Sequence, residues 1–133
     1  MIRYLLDTDI CSYISRRRYP SVLSRFAQIR SEDWAISAIT YAEIQYGLES
    51  SREIHSMQTR VNAFLFMANV LDWPAKAAHA YAGIKNRTRQ QPLAEQDMLI
   101  AAHAIAIDAI IVTNNVRHFN RMGGGLRFEN WLD

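Results

Sequence analysis

A chain of 133 residues is long enough to bury a hydrophobic core and is the length of one ordinary domain. Half of it is apolar and 21% is charged, proportions that exclude a disordered or low-complexity protein. Its 15 basic and 13 acidic residues leave a formal charge of +2, too little to indicate nucleic-acid binding from net charge alone. The predicted elements begin with Tyr4-Leu5-Leu6, an apolar run too short for a helix that ends in Asp7-Thr8-Asp9 and reads as a strand buried on both faces. A short helix over Ile10 to Arg17, capped by Thr8 or Asp9, comes next, and Pro20-Ser21 opens another through Ile29. Trp34 to Ser37 is a second strand. Thr40 to Glu49 is predicted helical, with Ile39, Ala42 and Tyr46 on one face and Glu43 at the margin of that apolar stripe. A long amphipathic helix carries Ile54, Met57, Val61, Phe64 and Leu65. Asn69 to Asp72 is a third strand, and Pro74 starts a helix to about Arg89. Glu95 to Ile107 is helical and apolar on nearly every side, so it should be deeply buried. Ala109 to Thr113 is a fourth strand and Leu126 to Glu129 a small fifth.

Alternation of this kind predicts one α/β domain over residues 1–133, a central parallel sheet covered by helices on both faces. Cys11 is the only cysteine, which excludes an internal disulfide and suits a reducing compartment. An acid already at position 7 interrupts any signal-peptide core, and the most apolar stretch, Met98 to Val112, is broken by His103 and Asp108. The expectation is a cytoplasmic protein with no membrane association. Gly123-Gly124-Gly125 lacks the Lys-Ser or Lys-Thr of a phosphate loop and reads as a turn. His79 and His103 read as packed or solvent-tipped residues, and Cys11 as a small core residue.

Ligands of open α/β sheets bind in the crevice at the carboxyl ends of the strands. Asp7 ends the first strand, and Thr113-Asn114-Asn115 leaves the fourth strand at the same edge. Glu43 follows the second strand, and Asp97 lies in the first turn of the buried helix, where the helix dipole favours a negative charge. Clustered carboxylates repel one another unless a divalent cation stands among them. Oxygen donors without cysteine or spaced histidines suit Mg²⁺ or Mn²⁺ rather than Zn²⁺. Plain structural roles compete at each position: Asp9 as a helix cap, Glu43 in a surface ion pair, Asp97 as a dipole charge, and the two asparagines as a turn.

The combination resembles the PIN-domain ribonucleases, and within them the VapC-type toxins of bacterial toxin–antitoxin modules. The blocks that carry the resemblance are Tyr4-Leu5-Leu6-Asp7-Thr8-Asp9, Ser37 to Gly47, Asp97 to Ala104, and Ile111 to Asn115 with Phe119 beyond; they run in order through essentially the whole chain. The resemblance implies a PIN-like (Rossmann-like) three-layer fold with four to five short parallel strands. It also implies a Mg²⁺- or Mn²⁺-dependent endoribonuclease acting on structured RNA such as tRNA or rRNA loops. Asp7, Glu43 and Asp97 would be the metal-holding acids, with Thr113 and Asn115 completing the catalytic set. Asn115 stands where the family often has a further acid, and Asp9 where such toxins commonly have Asn. Basic residues must then lead RNA to the acids: Arg16, Arg17 and Arg18 form one cluster, Lys85, Arg87 and Arg89 a second, and Arg117, His118 and Arg121 a third. The resemblance further implies a cognate VapB-like antitoxin laid across the acidic site, a homodimer and a toxin–antitoxin hetero-oligomer. The helices Thr40–Glu49 and Ile54–Met67 are the expected receiving groove. Two rivals are weighed against this reading. One is a PIN fold that binds RNA or a partner without cutting. The other is a haloacid-dehalogenase-like phosphatase, suggested by Asp7-Thr8-Asp9 but lacking the lysine and acidic pair that its chemistry needs after the fourth strand.

Overall fold

The computed structural model describes residues 1–132. Five short strands form one parallel sheet: β1 (Tyr4–Leu6), β2 (Trp34–Ser37), β3 (Val70–Leu71), β4 (Ile110–Val112) and β5 (Arg127–Glu129), in the spatial order β3-β2-β1-β4-β5. Seven helices connect them among the described residues: α1 (Thr8–Ser15), α2 (Pro20–Gln28), α3 (Ala38–Ser50), α4 (His55–Met67), α5 (Ala77–Arg87), α6 (Glu95–Ala106) and α7 (Val116–Asn120). The parallel α/β architecture expected from the alternating pattern is present, including the small fifth strand.

The period-2 alternation of the strands divides the core in two. Leu5, Ala35 and Ile111, paired across β2-β1-β4, point to one face and pack with Ala77 and Ile84 of α5 and with Met98 and Ala101 of α6. Their neighbours Tyr4, Leu6, Trp34, Ile36 and Val112 point the other way, onto α1, α2 and α4 through Ile10, Ile14, Val22 and Phe64. The near-continuous apolar character of each strand is thus the signature of a sheet covered on both faces. Helix α3 leaves the carboxyl end of β2 and passes from one core to the other: Ile39 packs with the first, Ile44 and Leu48 with the second.

Three expectations are corrected. Helix α1 is capped by Asp7 and not by Thr8 or Asp9: the Asp7 backbone is extended, and its Oδ1 accepts from the Ile10 N–H at 3.0 Å. The inward row of α3 is Thr40, Ile44 and Leu48, with Glu43 beside it; Ala42 and Tyr46 face outward because α1 and α6 receive the other side of the helix. Helix α5 starts at Ala77, since Pro74 and Ala75 are spent on the turns whose carbonyls accept from Ala77 and Ala78.

Candidate active site

Strand β1 lies between β2 and β4, so the chain reverses its direction of winding at the carboxyl end of β1. Asp7 emerges there, its N–H donating to the Val112 carbonyl of β4 at 3.0 Å. The residue is only 5% exposed. Burial raises its pKa from 3.8 to about 7, opposed by hydrogen bonds from Thr113 and from the Ile10 N–H; the charges of Asp9 and Asp97 push it further up. Thr113 is itself fully buried, and its Oγ1 accepts from the Asn115 N–H at 2.9 Å. The Thr113 hydroxyl thus faces both the acid at the end of β1 and the loop after β4.

Glu43, half-buried on α3, accepts a hydrogen bond from the Thr8 hydroxyl at 2.7 Å. Desolvation raises its pKa, the Thr8 bond opposes that, and the charges of Asp97 and Asp9 add to the rise. Asp97, in the first turn of α6, is likewise raised by burial, with His118 pulling it down and Asp9 pushing it up. Asp7, Glu43 and Asp97 thus share one electrostatic neighbourhood, with Asp9 exposed at its edge. The contact is through fields: among the described residues, no three His, Cys, Asp or Glu side chains are gathered tightly enough to hold one ion between them. Their chemistry nonetheless fits a hard divalent cation, because the donors are all oxygens and a buried anion such as Asp7 calls for a positive partner.

Two positioning groups escape a reading of the sequence as a string of acids. Thr8 is the hydroxyl between Asp7 and Asp9 and serves Glu43, 35 residues away. His118, three residues after Asn115, meets the Asn115 side-chain amide through Nδ1 at 2.7 Å and bears on Asp97. Of the expected RNA-contacting arginines, Arg16 is withdrawn: its guanidinium forms an ion pair with Glu53 in the α3–α4 connection. Arg17, Arg18 and Arg117 are exposed. His103, as expected, is packed: its Nδ1 lies 2.8 Å from the Ser37 hydroxyl, which also caps α3 by accepting from the Ile39 N–H. That buried pair pins the helix bearing Glu43 to the helix bearing Asp97. Beside Thr8 and Glu43 a cavity of about 310 Å³ opens between α1, α3 and α4, lined by Cys11, Leu48, Val61 and Phe64 among others.

The sequence matches the PIN domain family model over residues 4–125. The chain belongs to the PIN domain family. This membership displaces the phosphatase reading of Asp7-Thr8-Asp9. Among curated proteins, ribonuclease VapC2 of Haemophilus influenzae is 38% identical over 134 residues, covering 99% of this chain and 100% of that protein. The tRNA(fMet)-specific endonuclease VapC of Shigella flexneri is 36% identical over 133 residues, covering 98% and 99%. Among solved structures, VapBC2 of Rickettsia felis bound to a DNA fragment from their promoter superposes with a TM-score of 0.85 at 34% identity, covering 98% of this chain and 99% of that one.

Proposed function

We propose that this PIN domain is an endoribonuclease toxin of the VapC type, cutting structured RNA and held in check by a cognate VapB-like antitoxin. The observation that carries the reading is the buried Asp7 with the half-buried Glu43 and Asp97 at the switch point of the sheet, the charge of Asp97 raising both of the others, in a chain whose similar proteins are named ribonucleases. Asp7, Glu43 and Asp97 would hold Mg²⁺ or Mn²⁺. When bound, such an ion acidifies water for attack on a phosphodiester and offsets charge on the phosphorus centre. The chain's own groups supply the positioning. Thr113 holds the Asp7 carboxylate, the Asn115 N–H orients Thr113, and Thr8 fixes Glu43. Asn115 replaces a carboxylate by an amide at the edge of the site, so the protein's charge there rests on Asp7, Asp9, Glu43 and Asp97.

The antitoxin segment enters the α1–α3–α4 cavity, whose rim is continuous with Glu43. The exposed apolar side chains Tyr46 of α3 and Ile54 in the α3–α4 turn add to the antitoxin surface, and Phe66 and Met67 at the end of α4 are exposed for a second copy of the chain. The proposed setting is the cytoplasm, as one domain over 1–133; no described helix is long and apolar enough to cross a membrane. The test is incubation of total RNA with antitoxin-free protein in Mg²⁺ or Mn²⁺, with and without EDTA, alongside Asp7→Asn. Discrete fragments that disappear with chelator and with the substitution support the reading. A folded protein that cuts nothing in either metal turns it to the RNA- or partner-binding module.

A further inference from the structure

The second and third basic clusters, separate in sequence, are joined in the fold by contacts of Arg87 and Arg121. Arg87 at the end of α5 lies across the glycine turn and donates from Nε to the Met122 carbonyl at 2.9 Å. Its guanidinium stands where a Cβ on Gly83, Gly123 or Gly124 would come within 3.0, 3.1 and 2.8 Å of it, so these glycines make the space for it. Arg121, just past α7, donates to the Gln91 carbonyl in the α5–α6 connection. The two arginines brace that connection against the α7 end of the chain. Arg89 is held locally on the Asn86 carbonyl and side-chain oxygens, and Arg117 is exposed on α7. A carbonyl fixes a guanidinium without cancelling its charge. Among the described residues none of Arg87, Arg89, Arg117 and Arg121 enters an ion pair, whereas Arg16, Arg25, Arg30, Lys85 and Arg127 all do. The nearby Glu95 is already engaged by Lys85 and Tyr81.

This surface adjoins the acids on the Asp97 side. The α5–α6 connection leads directly into the first turn of α6, and His118, next to Arg117, acts on Asp97. In the opposite cluster Arg16 is paired with Glu53, as Lys85 is with Glu95, and the charge of Arg18 also bears on Glu53; Arg17 and Arg18 are exposed, but no side-chain hydrogen bond among the described residues fixes either guanidinium.

Resting on the nuclease reading above, we propose that the phosphate backbone of the RNA reaches the carboxylates along the Arg89–Arg117 wall, which Arg87 and Arg121 hold in place, and not along Arg16–Arg18. Unneutralised guanidiniums release condensed counterions when they meet phosphates, so the contact is readable as a salt dependence. The experiment measures binding of a fluorescein-labelled RNA stem–loop to the non-cleaving Asp7→Asn protein over a salt series, with further substitutions in that background. Replacing both wall residues (Arg89→Gln with Arg117→Gln) lowers the slope of log K against log salt by about 1.5, at roughly 0.7 to 0.9 per phosphate contact. Arg117→Gln alone lowers it by about half as much. Arg17→Gln with Arg18→Gln leaves it unchanged. A slope that persists in the wall variants, or that falls instead with Arg17 and Arg18, overturns the proposal; thermal melts of the variants establish that all are folded. RNA cleavage by the wild-type protein is scored separately. Wild-type cleavage with wall-independent binding refutes the wall alone, and wall-dependent binding without wild-type cleavage refutes the nuclease reading alone.

Discussion

Asp7→Asn should stabilise the metal-free protein, and do so only above mildly acidic pH. Asp7 ionises at 3.8 in an unfolded chain and at about 7 in the fold, chiefly because burial disfavours its charge. Between those values the folded state holds a proton that the unfolded state has released. Stability attributable to Asp7 therefore falls as pH rises across that window and levels off above it. The full penalty on the charged form is about 4 kcal/mol, from 1.36 kcal/mol for each pH unit of displacement. Asn removes the charge at nearly constant volume and remains a good N-cap for α1, so the Ile10 N–H keeps a partner. Weakening of the Thr113 contact returns about 1 kcal/mol, leaving a net gain of roughly 3 kcal/mol above neutral pH. Urea unfolding in EDTA at roughly pH 4 and roughly pH 8 measures it, and the difference between the two proteins reports Asp7 together with its coupling to the neighbouring charges of Asp9 and Asp97. The expected gain is near zero at the acid end and about 3 kcal/mol at the alkaline end. Added Mg²⁺ should then raise the stability of the wild type and not of the variant. An Asn variant destabilised equally at both pH values would refute the reasoning, since it would mean that Asp7 is held by its hydrogen bonds and not strained by its burial.

Two more outcomes follow from the supports around the acids. Ser37→Ala removes the cap of α3 and leaves buried His103 without its partner, costing about 2 to 3 kcal/mol in urea unfolding; an effect below half of that would mean that the pair does not pin α3 to α6. Thr8→Val removes the hydroxyl that holds down the pKa of Glu43, so Glu43 takes up its proton more readily. Cleavage below neutral pH should drop roughly tenfold, the equivalent of about 1.5 kcal/mol for a hydrogen bond to a charged group, and recover as pH rises. A pH–rate profile that keeps its acid limb in place would show that Thr8 does not tune Glu43.

The parts of this protein legible in its sequence are those set by local pattern. Tyr4-Leu5-Leu6 is too short for a helix and too apolar for a loop, so β1 and the acid at its end stand out. Ile110-Ile111-Val112 repeats the signal next door, and the alternation of strands with helical stretches gives the parallel sheet. The cap of α1 was ambiguous because Asp7, Thr8 and Asp9 are all capping residues, and only the extended backbone of Asp7 decides among them. The inward face of α3 has no local signal because apolar side chains occur all round it, and the helices it packs on, not its own periodicity, select Thr40, Ile44 and Leu48. Pairings over long separations had no local trace: Thr8 with Glu43 across 35 residues, and Arg16 with Glu53 across 37.

The two kinds of residue at the strand ends answer to opposing requirements. Leu5, Leu6 and Val112 are buried among apolar neighbours and reward folding, while Asp7 and Thr113, directly after them, are buried as polar groups. The short strands bring this about: β1 and β4 end one residue before the polar group, so the core wall becomes the floor of the crevice without an intervening loop. Asp7 survives there because it serves the fold as well as the site, capping α1 with the carboxylate whose charge burial opposes. The cap ties the position of that acid to the start of α1, and Thr113 ties it to the end of β4. A group held from both sides cannot relax toward solvent to relieve its charge. Its strain is instead relieved by a proton or by a cation, as the metal-holding role proposed for Asp7 requires.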